Sequence, residues 1–294
     1  MIKDLRAGIS FSDAKTQIAV VEFRLDGTDL KYLEEIARPA DQPLTTLPDA
    51  TIKAINSYGK LSKLTVSIES SNGAIQIFPM DASLTPVEVE EHLDWEWKNF
   101  FPTYSSGEFV KQSKLVKPVR EDQKTLVLSN IVKQSLINEI TTAFEQYKLA
   151  FSSIELIPNF AENVLRFIHP EMRMKNTALV GVSPTRLDVY VFEAGRLSAY
   201  KYALNLQPQA AVEYLAVELL EFLPETLYVY GSGLSYEWQK ALKSSLGVVV
   251  SLNPFRKFRI TPDVKNYSRY IGHEHRFCGC IGGILEAEPA RLGK

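Results

Sequence analysis

Residues 5–23 read LRAGISF, SDAK, TQIAVVEF: a β-rich run, a four-residue polar loop and a second β-rich run. A turn at Asp26-Gly27 and a third run, LKYLEEIA, extend the hairpin, since Asp-Gly between β-rich runs is a strong turn signal. A helix follows, with Leu47, Ile52, Ile55 and Tyr58 at its apolar positions and Gly59 as its stop. KLTVSIES and GAIQIFP are two more strands. The same order returns from Thr177: TALVGV, the loop SPT, RLDVYVFE, a turn at Ala194-Gly195 and RLSAYKYAL. A helix over QAAVEYLAVELLEFL then keeps Ala211, Leu215, Leu219 and Phe222 on one face, before the glycine-ended strand TLYVYGSG, the helix LSYEWQKALKSSL and the strand VVVS. Few residues match between the halves, so the duplication is one of architecture.

Between the halves, residues 83–150 read as an inserted α+β subdomain. Thr85-Pro86-Val87-Glu88 is a capping box with proline at the first helical position. The helix it starts carries Val89, Leu93, Trp97 and Phe100, and is followed by the strand EFVKQSKLV, the charged turn KPVREDQK, the strand TLVLS and a helix bearing Val132, Leu136, Ile140 and Phe144. FSSIELI and the helix after Pro158 lead back into the main body. The expected division is therefore 1–82, first domain; 83–150, insertion; 151–172, return to the first domain; and 173–294, second domain.

Composition narrows the function classes. The chain has 294 residues, 45% apolar and 23% charged, which is ordinary globular composition and enough for two domains. A formal net charge of −2 offers no field for nucleic acid or an acidic membrane. No apolar run suits a membrane span, and the start MIKDLR lacks a signal-peptide core, so any membrane role is expected to run through a partner. The two cysteines, Cys278 and Cys280, are one residue apart, which suits a disulfide poorly and a reducing compartment well. With His273 and His275 the run HEHRFCGC invites a zinc reading. The small-residue helix RFCGCIGGIL is the preferred one, because neighbours two apart on a helix point to opposite faces. His92 and His169 read as surface-helix or helix-end residues. No Gly-x-Ser-x-Gly elbow supports a hydrolase triad, and Gly231-Ser232-Gly233 lacks the third glycine of a dinucleotide loop.

The run from Lys63 to Pro102, with Pro79, LTPVEVEEHLDWEWKNFFP, the pair Trp95-Glu96 and the closing Phe101-Pro102, resembles the type IV pilus assembly protein PilM family, relatives of the cell-division protein FtsA. SSIELIPNFAENVLRF, YVYGSGLS, Asn253-Pro254-Phe255 and CIGGIL extend the resemblance in order over nearly the whole chain. It implies an α/β protein of the actin-like ATPase (ribonuclease H-like) fold, with two duplicated halves around a cleft.

Actin-like ATPases hold phosphates between two hairpin loops led by Asp-x-Gly, whose aspartates position Mg²⁺ and whose glycines bring backbone N–H groups to the phosphates. At the matching positions stand Ser10 and Ser12 in the first loop and Gly181 and Ser183 in the second. Asp13 and Asp188 are offset from the carboxylate positions and read as exposed loop or strand residues. Gly231 and Gly233 keep the adenine-side glycines, with a plain strand-to-helix turn as the equal alternative. The expectation is a pseudo-ATPase with no required cofactor, in which aspartate at Ser10 and Gly181 would leave folding intact. The resemblance further implies a cytoplasmic ring or platform component beneath the inner membrane, binding the N-terminal peptide of a PilN-like membrane protein. Trp95, Trp97, Phe101 and Tyr104, where the first domain meets the insertion, are the candidate contacts, with subdomain core as the competing reading. Two rival readings are a working ATPase with rearranged loops and a secretion component similar to GspL. The latter normally continues into a membrane helix, and the ending ARLGK speaks against it.

Overall fold

The structure, a computed structural model, describes residues 4–39, 41–116, 124–264 and 266–285. The charged turn expected near 117–124 and the ending ARLGK lie wholly or mostly outside them. The first half supplies β1 (Asp4–Phe11), β2 (Lys15–Arg24), β3 (Gly27–Ala37), α1 (Asp49–Ser57) and β4 (Lys63–Ile68). The chain continues through β5 (Gly73–Met80), α2 (Pro86–Phe100), β6 (Phe109–Val116), β7 (Thr125–Lys133), α3 (Gln134–Gln146), β8 (Ser153–Leu156) and α4 (Ile157–Ile168). The second half holds β9 (Thr177–Val182), β10 (Arg186–Glu193), β11 (Arg196–Leu204), α5 (Pro208–Glu218), β12 (Thr226–Tyr230), α6 (Tyr236–Ser245) and β13 (Val249–Ser251), followed by β14 (Arg259–Ile260) and α7 (Cys278–Leu285).

The duplication is visible strand by strand. One sheet runs β14-β3-β2-β1-β4-β8 and the other β11-β10-β9-β12-β13, each with an antiparallel hairpin beside a parallel pair. Both hairpins carry an irregularity at the same place, between Val20 and Val21 and between Val191 and Phe192. The turn at Ala194-Gly195 has φ of 47° and 72°, the double positive φ of a tight hairpin, and glycine meets that at least cost.

The division differs from the expected one in two places. β5 pairs with β7, in a three-stranded sheet β5-β7-β6, so the insertion starts at Gly73 and ends at Lys133. α3 belongs to the first half: Phe144 packs edge-on against Phe11, with ring centroids 6.4 Å apart. The end of the chain also returns to the first half. β14 pairs with β3, and α7 lies on β1, β4 and α4.

Side-chain alternation explains how α7 seats. Leu5, Ala7, Ile9 and Phe11 fill one face of β1, while Arg6, Gly8 and Ser10 take the other. A β-carbon at Gly8 would lie 2.1 Å from the Cys280 carbonyl oxygen, and one at Gly282 only 1.9 Å from that of Phe160. Gly279 sits over Ser10 and Ser67, and Gly283 over Thr65. Small residues on both surfaces thus let helix backbone lie almost directly on the sheet. Cys278 and Cys280 are buried free thiols within this contact. Gly282→Ala should therefore cost about 1–3 kcal/mol by overpacking, whereas Gly107→Ala, with open space around it, should stay within about 0.5 kcal/mol. Denaturant melts of the two variants test the contrast.

Candidate functional site

Two places carry the candidate residues: the cleft where the halves face each other, and the junction of the insertion with the first half. In the cleft the two hairpin loops are built alike. Ser12 N–H donates to the Lys15 carbonyl at 2.9 Å, and Ser183 N–H to the Arg186 carbonyl at 2.9 Å. The two serine hydroxyls donate to the same carbonyls, at 2.9 Å and 3.2 Å. Ser12 and Ser183 therefore each close their loop on itself.

The two aspartate positions are filled by neighbours. Ser10 is 1% exposed and covered by α7, with its hydroxyl unpartnered among the described residues. At Gly181 a β-carbon would lie 2.5 Å from Tyr230 Oη, whose ring is fully buried. Tolerance of aspartate at both positions was the sequence-based expectation, and this packing contradicts it. Gly231, at φ 116°, and Gly233 press against the second loop. A β-carbon on the first would meet the Val182 carbonyl oxygen at 2.2 Å and one on the second the Ser183 carbonyl carbon at 2.6 Å, while Gly233 N–H donates to Val182 at 2.9 Å.

Charged side chains occupy the space between the loops. Asp188, expected to be exposed, is buried: Arg186 Nε donates to it at 2.9 Å, and the hydroxyls of Tyr200 and Ser70 donate to it as well. Arg186 also reaches the Ser70 carbonyl at 3.2 Å, tying the second half to the first. Burial disfavours the guanidinium charge, but Asp188 and Tyr200 outweigh it and the Arg186 pKa is raised. Asp13 accepts from Ser71 at 2.8 Å and, across the cleft, from Thr185 at 3.3 Å. Beside them Glu69 is buried at the end of β4. Desolvation, then Asp13 and Asp188, push its pKa well up, with Arg186 opposing. His275 brackets Gly231, its Nδ1 lying 3.1 Å from the Gly231 carbonyl, and burial pushes its pKa down to about 4. His169 sits at the C-terminal end of α4, in keeping with the helix-end reading, and is buried against the Tyr228 ring, with Glu171 2.8 Å from its Nδ1.

Among the described residues, no group of three or more His, Cys, Asp and Glu is placed to hold a metal ion. Arg186, Asp188, Glu69 and Ser70 were absent from the sequence-based site or read otherwise. Arg186-x-Asp188 on one strand face was the available signal, because residues two apart on a strand share a face.

At the junction the four aromatics separate. Trp97 is fully buried in the insertion's core, its indole N–H donating to Ser129 at 2.9 Å, and Tyr104 is buried beside it, donating to Asp94 at 2.7 Å. Neither side chain is available to a partner in this packing, which corrects their place in the candidate set. Trp95 is 57% exposed beside the His92 ring. Phe101 lines a cavity of about 380 Å³ with Ser71, Asn72, Phe109 and Lys133, where the first half meets the insertion.

This arrangement of two like halves around a cleft, with an inserted subdomain, is the actin-like ATPase fold. The chain is similar to one in a PilM-PilN type IV pilus biogenesis complex, at 15% identity over 97% of this chain and 99% of that one, with TM-score 0.72. A Bacteroides thetaiotaomicron protein of actin-like ATPase fold and unknown function matches at 17% identity over 88% and 96%, TM-score 0.55. The cytoplasmic domain of EpsL, an inner-membrane component of the Vibrio cholerae type II secretion system, matches at 10% identity over 88% and 89%, TM-score 0.50. No protein-family model and no curated protein sequence matches the chain. Among the described residues, no helix is long and apolar enough to cross a membrane.

Two stability tests follow from the cleft. Arg186→Met strands buried Asp188 and should cost about 3–5 kcal/mol of unfolding free energy, measured by denaturant titration. Glu69 has a raised folded pKa, so its contribution is complete below its unfolded pKa near 4.5 and is lost as pH rises through the folded value. Glu69→Gln should remove that loss, so the stability difference between variant and wild type should grow in the variant's favour between about pH 4 and pH 8.

Proposed function

We propose that this protein is a non-catalytic, PilM-like scaffold on the cytoplasmic side of an inner membrane. In this reading it belongs to a type IV pilus or related secretion machine and holds the N-terminal cytoplasmic peptide of a PilN-like membrane protein. The observation that carries the reading is that the likeness to the PilM-PilN chain extends over almost the full length of both chains, insertion included. The filled cleft supports the non-catalytic part. Mg²⁺ contributes several kcal/mol to stabilising developing phosphate charge, and Ser10 and Gly181 offer it no carboxylate.

The peptide is assigned to the junction lined by Phe101, and exposed Trp95 on α2 is the second candidate contact. An apolar side chain of the peptide enters the cavity, and main-chain hydrogen bonds to a sheet edge add affinity. The likeness to the EpsL domain supports a second reading, a component of a type II secretion system with the same kind of membrane partner.

Calorimetric titration with the N-terminal cytoplasmic peptide of a PilN-like membrane protein from the same organism tests the proposal. Phe101→Ala should weaken binding by about 2 kcal/mol with a nearly unchanged melt, whereas Trp97→Ala should cost about 3–5 kcal/mol of stability. Peptide binding unaffected by Phe101→Ala and Trp95→Ala removes the site. Mg-dependent ATP turnover that is lost on altering the cleft removes the non-catalytic reading.

A further inference from the structure

The helix α5 is apolar on two faces, and only one of them is covered. Ala211, Val212, Leu215 and Leu219 pack into the aliphatic core over the second sheet. On the other side Val217 is 72% exposed next to exposed Ala216, and in the turn that follows the helix Leu220 and Leu223 are each 71% exposed. A helix that is apolar all round is ordinarily buried on all sides, so the open face calls for a cover.

Charge says what kind. Residues 202–235 contain four glutamates and no Lys, Arg or His. Glu213 and Glu221 are exposed beside the apolar stripe, and neither has an ion-pair partner among the described residues. The neighbouring helix α6 packs alongside α5 and supplies cations beyond its first turn. Its outer face carries Tyr236, 75% exposed, and Glu237, which accepts from the Ser235 hydroxyl, then Lys240 and Lys243 at the next two turns, and neither lysine has an ion-pair partner among the described residues. One surface layer thus holds an acidic apolar stripe beside a basic aromatic one, with two free anions and two free cations.

We propose that this layer is the interface of a symmetric dimer of the protein. Rotation by a two-fold axis lays α5 of one copy on α6 of the other, and reciprocally, as an isologous contact requires. Val217 and Leu220 then cover Tyr236 of the second copy, while Glu213 and Glu221 face Lys240 and Lys243. A cover with no basic groups would leave the glutamates unanswered, and the chain's own α6 supplies them within reach of the same axis. None of these side chains lines the junction cavity, so the dimer is tested apart from the proposed peptide binding.

Sedimentation velocity of the full chain over a concentration series at low and high salt is the test. Wild type should reach twice the chain mass at low salt and shift toward monomer as salt rises, because exposed pairs are screened. Leu220→Asp, altered at an exposed position, should weaken dimerisation at least about thirtyfold with an unchanged melt. Glu221→Lys and Lys240→Glu should each weaken it about fivefold, and the double exchange should recover most of the loss. A monomer at every concentration and salt overturns the proposal. So does mass growing beyond the dimer, or a dimer that both Leu220→Asp and the single charge reversals leave untouched.

Discussion

Everything at the centre of this molecule depends on how closely α7 approaches β1 and β4. A helix packed on a sheet through large side chains stands well off the backbone, because side chains fill the gap. Here Gly279, Gly282 and Gly283 meet Gly8, Ser10, Thr65 and Ser67, and the gap closes to backbone contact. The contact pulls the end of the chain back to the first half, carrying Phe277 and His275 with it into the core and against the second half. It also leaves the hydroxyls of Ser10, Thr65 and Ser67 without partners among the described residues, a desolvation cost that the close packing must offset. A carboxylate at position 10 would add both volume and charge to that seam. The small side chain at position 10 and the glycine pattern of α7 are therefore two sides of one packing solution.

The second half solves its own aspartate position differently. Tyr190, Tyr200 and Tyr230 on the inner face of its sheet join the core of the first half, while Val180, Val182, Val189 and Val191 face α5 and α6. Tyr230 covers Gly181, and Arg186 with Asp188 fills the polar space beyond it. A buried ion pair adds little net stability against a well-packed apolar replacement, because two charges must leave water. What it does here is specific. Its donors and acceptors are shared with Ser70 and Tyr200, so the pair fixes the angle at which the halves meet.

How much of this was legible follows from what each signal reports. The hairpin order was readable because turn chemistry and two-residue alternation are local, and both halves repeat them. The helix phase of α2 placed Leu93 and Trp97, four apart, among its apolar positions and both are buried, yet Trp97 also stood beside Trp95 as a candidate contact, and only Trp95 lies on the open side. The sheet that β5 joins was not readable, since alternation marks a strand without naming its neighbour. Nor was the burial of Asp188, for a strand carboxylate is normally exposed unless a cation shares its face, and the weight of Arg186 two residues before it was not drawn. The small-residue helix near the end was recognised, but its landing place is set by Gly8 and Ser10, far away in sequence.

The cleft and the junction cavity are joined by a turn of three residues, Ser70–Asn72. Ser70 gives its carbonyl to Arg186 and its hydroxyl to Asp188, Ser71 gives its hydroxyl to Asp13, and Ser71 and Asn72 form a wall of the cavity lined by Phe101. One side of this turn is thus held by a buried ion pair and the other faces open space. Strand β5 leaves directly from Gly73, where a β-carbon would lie 2.5 Å from the Ile131 carbonyl oxygen, so the insertion's sheet is registered against the same turn. Hydrogen bonds to charged groups are worth about 1.5–3 kcal/mol, enough to hold so short a segment in one position. The charges that fill the space between the two hairpin loops therefore set the wall of the cavity, which gives those side chains a structural purpose.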